Sequence, residues 1–322
     1  METRFAAALL WLKNPVTFFT PLLAVALAFG LAPCEGVLCD LASHFMAQYA
    51  LAALGLFVLT LAFRLSRRWL AVNALLFLLA AWQLLPFMPV QTPAATSGTL
   101  KILQANTYLY NPDPEPLRRL IAAEKPDIVV TTETTPAFSQ MMEGLKAEYP
   151  HQLIWPQKRN PRGLGVISKL PFQKITFLSF DSPRVPAQEF SLRVGKARVT
   201  FMSIHPLTPT EDILRRDREL EMIAQHYQKR RPDHLVVLGD FNATPYCRAY
   251  RKLTAELNLR NAREGFGLYP SWPTFFPTPL PRIAIDHVLV SRAVKVHDFR
   301  TGPEIGSDHL PTITEISVED AP

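Results

Sequence analysis

The chain has 322 residues, 48% of them hydrophobic and 19% charged, with a formal net charge of +6. That length leaves room for one large domain and an appendage. Five of the 34 Lys and Arg and three of the 28 Asp and Glu precede residue 100, so the remainder carries only +4, which excludes a strong nucleic-acid footprint.

Residues 1–90 differ in kind from the rest. Pro15 to Ala32, Phe45 to Phe63 and Trp69 to Val90 contain no charged residue. Each run, as a helix, is long enough to cross a hydrocarbon layer about 30 Å thick. Three such runs in succession, without amphipathic period, point to a membrane anchor with spans at about 15–32, 45–63 and 69–90. A cleaved signal peptide would account for the first run alone. Arg64, Arg67 and Arg68 lie between the second and third runs, whereas the loop before the second has Glu35 and Asp40 and no Lys or Arg. The positive-inside rule then places that Arg cluster, and the N-terminus with Arg4 and Lys13, in the cytoplasm. Everything after Val90 is expected outside a cytoplasmic membrane. Cys34 and Cys39 share the outer loop, where a disulfide could persist, and their spacing also suits two free thiols. Cys247 reads as a small packing residue.

Residues 91–99 form an expected linker, because Gln91 to Gly98 is made of turn formers and small residues. The remainder, 100–322, is large enough for a substantial core. Lys101 to Ala105 reads as a strand. Pro114 to Glu124 reads as a helix with Leu117, Leu120 and Ile121 on one face. Asp127 to Thr131 is β-branched and reads as a buried strand ending at Glu133. Gly163–Ser168, Lys174–Phe180, Gln188–Val194 and Arg198–Ile204 read as successive sheet strands. Thr208-Pro209-Thr210-Glu211 has the form of a capping box with Pro at the first helical position. The helix it opens repeats Ile213, Leu214, Leu220, Ile223, Ala224 and Tyr227 at a 3.6-residue period. His234–Leu238, Ala284–Ser291 and Leu310–Ser317 are the remaining strands. No internal repeat or low-complexity tract is visible. The alternation predicts an α/β domain of helices layered on sheet.

Polar clusters fall at the strand ends. They are Asn106, Glu133, His205, Asp240 with Asn242, Asp286, and Asp308 with His309. Each alone has a structural explanation, such as a turn residue, a helix cap or a buried histidine. Their common placement argues otherwise, since α/β folds assemble sites at strand termini. Carboxylates, an amide and imidazoles in one cleft are what metal-assisted attack of water on phosphorus requires.

These clusters resemble the endonuclease/exonuclease/phosphatase superfamily, whose members include DNase I, inositol polyphosphate phosphatases and neutral sphingomyelinases. The resemblance rests on Gln104-Ala105-Asn106, Asp127 to Glu133, Ser203-Ile204-His205, Gly239 to Pro245, Ile285 to Ser291, and Ser307 to Pro311. They stand in the family's order and cover nearly all of 100–322. The charge-free N-terminal region further resembles a membrane-attached bacterial branch. The resemblance implies two packed mixed β-sheets flanked by helices, and an enzyme dependent on Mg²⁺ or Mn²⁺. It implies Glu133 as the principal metal ligand, with Asn106 and Asp308 contributing. Asp240 would orient or deprotonate the water, Asn242 and His205 would donate to the phosphate, and His309, held by Asp286, would act as base or charge stabiliser. His287 reads as structural. The implied substrate is a phosphate ester or pyrophosphate, in particular a lipid-linked envelope metabolite. A nuclease is the alternative. Two departures stand out. Ala105 occupies a position where the family often has Trp, and no long basic insertion is present, only Lys158, Arg159 and Arg162, which read either as a modest basic edge or, more commonly for such a feature, as a solvated loop. Tyr269 to Pro277, rich in aromatic residues and proline, reads either as an apolar lip over the site or as a rigid covering loop.

Overall fold

The computed structural model describes residues 15–90, 99–158, 160–180 and 186–318. Residues 91–98 of the expected linker, and Arg4, Lys13 and Arg159, lie outside the described residues. The chain falls into two compact units, one ending at Pro86 and also taking in Tyr246–Arg248, the other made of Phe87–Pro245 and the residues from Ala249 onward.

The first unit is helical, with α1 (Pro15–Leu31), α2 (Val37–Ser43), α3 (Met46–Ala62) and α4 (Arg67–Trp82). Cys34 and Cys39 are joined by a disulfide, one of the two states their spacing allowed. The three expected spans are corrected here. α1 and α3 have 17 residues each and α4 has 16, or about 25 Å of helix at 1.5 Å per residue. Among the described residues no single helix is long and apolar enough to cross a membrane, and the pair α2 and α3, bent by 68°, meets that test only together. The third run loses its helix at Trp82, ahead of Pro86 and Pro89, which have no N–H for the helical ladder. A single 3₁₀ turn, Leu85–Phe87, follows. Inside this unit Thr20 Oγ1 donates to Asn73 Oδ1 (2.9 Å) and Asn73 Nδ2 donates to Thr60 Oγ1 (3.1 Å), all three residues buried. Phe19, Leu22, Val25, Leu51, Val58 and Leu78 are exposed. The interior also holds the apolar cluster of Leu27, Met46, Ala53 and Leu76, so it is the run of exposed large apolar side chains that departs from the distribution normal for a water-facing bundle.

The second unit holds two six-stranded sheets. The first runs β11 (Val294–Thr301), β12 (Thr312–Val318), β1 (Leu100–Asn106), β2 (Ile128–Thr132), β4 (Leu164–Ser168), β3 (His151–Trp155). The second runs β5 (Lys174–Ser179), β6 (Pro186–Val194), β7 (Ala197–Ile204), β8 (Leu235–Asp240), β10 (Asp286–Ser291), β9 (Leu259–Asn261). Both are mixed and flanked by helices, as expected. Ile102, Val130, Phe190, Phe201, Val236, Val288 and Ile316 pack together as their common core. Burial of these β-branched and aromatic side chains, at roughly 1.5–3 kcal/mol each, is the main cohesion between the layers.

The two sheets share a plan at their centres. Each has one parallel pair, β1 with β2 and β7 with β8, flanked by antiparallel neighbours. A parallel pair needs a crossover. Here these are α5 (Glu115–Glu124) and α7 (Pro209–Arg230). α7 begins as its sequence indicates: Thr208 Oγ1 accepts from Glu211 N, and Glu211 Oε2 accepts from Thr208 N at 2.9 Å. Two further helices, α6 (Pro136–Gly144) and α8 (Arg248–Leu257), complete the flanks. β3, β9, β11 and α8 have no counterpart in the sequence reading. β3 is a partly exposed edge strand, β9 has only three residues, and β11 is bulged between Val296 and Asp298, so none presents a clean alternation or a buried run.

Candidate active site

The carboxyl ends of both parallel pairs carry the polar clusters. Asn106 closes β1 and Glu133 follows β2; His205 follows β7 and Asp240 closes β8. The antiparallel neighbours start at the same level, so Asp286 opens β10 opposite Asp240, and Asp308-His309 precede β12. The turns are backbone-strained. Glu133 and Asn242 adopt left-handed conformations, with φ of 55° and 50°. Such strain persists where the surroundings over-determine it. Thr107 Oγ1 donates to Glu133 O (2.9 Å) and Leu109 N to Glu133 Oε2 (2.8 Å), which fix that turn. Gly239 has φ 138°, and a Cβ there would lie 2.0 Å from Ile204 O, so β8 can approach β7 beside Asp240 only without a side chain.

Asn106 joins the two sheets. Its Nδ2 donates to Glu133 Oε1 and to Asp240 Oδ2, both at 3.0 Å, and its Oδ1 accepts from Tyr108 N at 2.9 Å. Asp240 also accepts from Asn242 N at 2.9 Å, and His205 Nε2 lies 3.5 Å from its Oδ2. His205 donates through Nδ1 to Pro161 O (2.9 Å), which aims Nε2 at Asp240 and at Glu133 Oε1, 3.9 Å away. His309 Nδ1 lies 2.7 Å from Asp286 Oδ2, and its Nε2 lies 3.7 Å from Asp240 Oδ2. The second oxygen of Asp286 accepts from Gln104 Nε2 (3.0 Å), whose Oε1 accepts from Thr312 (2.9 Å). Asp308 Oδ2 accepts from Trp272 Nε1 (3.1 Å); its Oδ1 is buried without a hydrogen-bond partner among the described residues.

All eight expected site residues therefore meet in one place. Asn242 meets them with one amide hydrogen engaged, since Nδ2 donates to Pro206 O at 3.0 Å. The other hydrogen remains for a ligand. Arg162 does not belong to a basic edge: it is buried and bonds both oxygens of Glu211 at 2.7 and 2.6 Å. His287 is buried away from the cleft, donating to Ala243 O (2.8 Å) and accepting from Arg263 Nη1 at 3.1 Å. Burial, then the charge of Arg263, hold it well below the usual imidazole range, and thus neutral. Trp272 and Gln104 escaped the sequence reading of the site. Trp272 lay in the aromatic stretch already singled out, and Gln104 lay in the quoted motif, two residues before Asn106 and so on the same face of β1.

Electrostatically the cleft is overcharged. Four carboxylates converge, and among the described residues no Lys or Arg pairs with any of them. Burial works against a charged His309, but Asp286 and Asp240 outweigh it and raise the ring to about 10. Burial likewise opposes a charged His205, and Asp240 outweighs that too, so its pKa is raised. Asp240 is pushed up by burial, yet the two imidazoliums and the Asn242 N–H hold it well below the usual carboxylate range. Asp308 is raised, chiefly by burial.

Ligand atoms of Asp240, Asp286 and His309 lie within 4.8 Å of one another, close enough to share a cation. The Asp286 and Asp240 side chains are only 0% and 2% exposed, however, so this trio is better described as a histidine oriented by a carboxylate. A hard divalent cation fits the other side. Glu133, Asp308 with its unpartnered oxygen, and the Asn106 amide offer oxygen donors, the chemistry that Mg²⁺ and Mn²⁺ select.

Two packed mixed sheets with an acid–imidazole cleft across their strand ends define the class of fold, an α/β two-sheet domain with a polar site between its sheets. The sequence pattern of the endonuclease/exonuclease/phosphatase family matches residues 103–309, and the chain belongs to that family. Comparison with curated proteins finds no match. Among solved structures, an endonuclease/exonuclease/phosphatase from Beutenbergia cavernae is 20% identical over 70% of this chain and 72% of that one, with a TM-score of 0.56. D. rerio TDP2 complexed with a single-strand DNA product is 13% identical over 69% and 100%, with a TM-score of 0.57. Sphingomyelinase C from Streptomyces griseocarneus is 21% identical over 67% and 99%, with a TM-score of 0.50. At these identities the likeness establishes the fold.

Proposed function

We propose that the protein is a divalent-metal-dependent phosphoesterase, held at a bacterial cytoplasmic membrane by residues 1–90, with residues 100–322 as its catalytic domain outside the membrane. The observation that carries the chemistry is the cleft of four carboxylates, none paired with a Lys or Arg among the described residues, around His205 and His309, with Asp308 Oδ1 lacking a hydrogen-bond partner among those residues. Glu133, Asn106 and Asp308 would hold Mg²⁺ or Mn²⁺, which when bound would polarise the phosphoryl oxygens. Asp240, kept ionised by its neighbours, orients the attacking water and accepts its proton. Asp286 fixes His309 through Nδ1, leaving Nε2–H to stabilise charge on the phosphoryl group. His205 and the free Asn242 amide hydrogen donate to the same oxygens.

The anchor proposal rests on the charge-free runs, on Arg64, Arg67 and Arg68, and on the apolar side chains exposed on the helical unit. Membrane attachment favours a lipid-linked phosphate or pyrophosphate, because such substrates are concentrated at the bilayer. A tethered nuclease is the second reading, favoured by the likeness to TDP2 with its DNA product. The pairing of Arg162 with Glu211 removes one of the few cations that could grip a nucleic-acid backbone. The deciding experiment assays the purified full chain, with Mg²⁺ and with chelator, against a lipid pyrophosphate, an inositol phosphate, sphingomyelin and plasmid DNA. Metal-dependent turnover of the lipid pyrophosphate is expected. Preferential turnover of DNA would replace this reading with the second, and hydrolysis insensitive to chelator would refute the metal mechanism.

A further inference from the structure

A second cavity, of about 370 Å³, opens on the outer face of the β5–β6–β7 sheet, under the C-terminal part of α7. Its position separates it from the cleft. β7 reaches His205 at its carboxyl end, whereas the cavity is lined by Thr200, five residues earlier and paired with Leu235 at the start of β8. Five residues of strand span about 16 Å.

Strand register builds the floor. Lys174 on β5 stands opposite Ser191 on β6, and Ser191 stands opposite Thr200 on β7. Directly paired residues point to the same face of a sheet, so an ammonium and two hydroxyls form a row across three strands. Arg198 lies two residues from Thr200, on that face, and Arg230 comes from α7. The acid in the lining, Glu189, is already neutralised: Arg230 Nη1 lies 2.8 Å from its Oε1, and His226 Nε2 lies 2.9 Å from its Oε2. Lys174 has no acidic partner among the described residues, and Arg198 Nε donates to the neutral Gln173 Oε1 at 3.1 Å. Among the described residues two positive charges therefore remain without an acidic partner.

Ser191 is the decisive residue. It is only 4% exposed, yet its Oγ has no hydrogen-bond partner among the described residues while lining the cavity. A buried hydroxyl left unpaired costs free energy, and native structures seldom leave one without a reason. A sealed donor beside two free cations is what an anion with several acceptor oxygens would use.

We propose that this cavity is a second binding site, distinct from the catalytic cleft, for a small tetrahedral dianion of the phosphate class, either free or as the terminal group of a small phosphorylated molecule. Lys174 and Arg198 match its charge; Ser191 and Thr200 donate hydroxyl hydrogen bonds. The alternative is a solvated cationic groove with no defined occupant.

The test titrates the purified full chain, freed of divalent metal, with inorganic phosphate by calorimetry at constant ionic strength set with chloride. Saturable binding is expected. Lys174→Gln combined with Arg198→Gln, and separately Ser191→Ala, should each weaken it at least about tenfold, as losing charge-assisted hydrogen bonds does. His309→Ala, in the cleft, should leave it unchanged. Melting curves on each variant check folding, and the doubly substituted surface variant carries the test should Ser191→Ala fail to fold. Absence of saturable binding, binding unchanged in the double variant, or binding lost with His309→Ala would overturn the proposal.

Discussion

The two sheets reach the cleft by the same route and arrive with different chemistry. In each, a parallel pair ends in a hydrogen-bonding residue beside a carboxylate: Asn106 with Glu133 in one, His205 with Asp240 in the other. The Asp240 side chain is 2% exposed and saturated with hydrogen bonds from Asn106 and Asn242 and with His205 beside it. The Glu133 and Asp308 side chains are 14% and 24% exposed, and one oxygen of Asp308 is unpartnered. One topology thus yields a sealed half, suited to fixing protons, and an open half, suited to a cation. Burial, rather than residue type, separates the carboxylates.

The largest expected effect lies on the open half. Glu133→Gln removes an anionic oxygen at nearly constant volume and should lower turnover by more than about 100-fold, since residues merely supporting a metal ligand already account for 10–100-fold. Steady-state rates across a Mg²⁺ series check this, and near-normal turnover at ordinary Mg²⁺ would merge the two halves into one role. On the sealed half, His309→Ala should reduce turnover about 10²–10³-fold, as removal of a preorganised donor to developing charge does. Adding Asp286→Ala should then cost little more, because residues acting as a unit are non-additive. Additive losses in a double-mutant cycle would leave Asp286 as scaffolding for the strand entrance. Gln104→Leu removes the amide that holds Asp286 Oδ1 and should cost about tenfold, the weight of one hydrogen bond to a charged group. Its signature is a loss in kcat that vanishes in the Asp286→Ala background.

The smallest effect concerns stability, and it differs in sign between the halves. In chelated protein Asp240 has a depressed pKa, so it contributes stability that is present above the ordinary carboxylate value near 3.9 and lost as the pH falls through its folded pKa. Asp308 has a raised pKa, so it imposes a penalty that grows as the pH rises above that ordinary value toward its folded pKa. At pH 7, Asp240→Asn should therefore lower the melting temperature and Asp308→Asn should raise it. Shifts of the same sign would show that burial does not distinguish the two.

The family and the strand-end placement of every candidate residue were legible in the sequence, because buried strands such as Leu235–Asp240 write themselves as apolar runs and the polar cluster follows directly. The shared plan of the sheets was not. No repeat is visible in the sequence, and the symmetry of β1–α5–β2 and β7–α7–β8 exists only in pairing. The unequal solvation of Glu133 and Asp240 was equally hidden, since each is a carboxylate at a strand end. Trp272 was hidden for another reason: it reaches Asp308 by a long-range contact, zipped in place where Leu310 N donates to Ser271 O and Thr274 N to Asp308 O, both at 2.9 Å. The N-terminal spans were overdrawn because absence of charge marks an apolar run without marking where its helix stops. Pro86 and the bend between α2 and α3 set those limits.

Metal binding by the two halves can be compared directly. Mn²⁺ titrated calorimetrically into the chelator-stripped full chain should bind the parent and His309→Ala with similar affinity, and Glu133→Gln at least about tenfold more weakly. That outcome places the cation on the open half. Binding retained by Glu133→Gln but lost in His309→Ala or Asp286→Ala would place it among Asp240, Asp286 and His309 instead, and would contradict the division of the cleft.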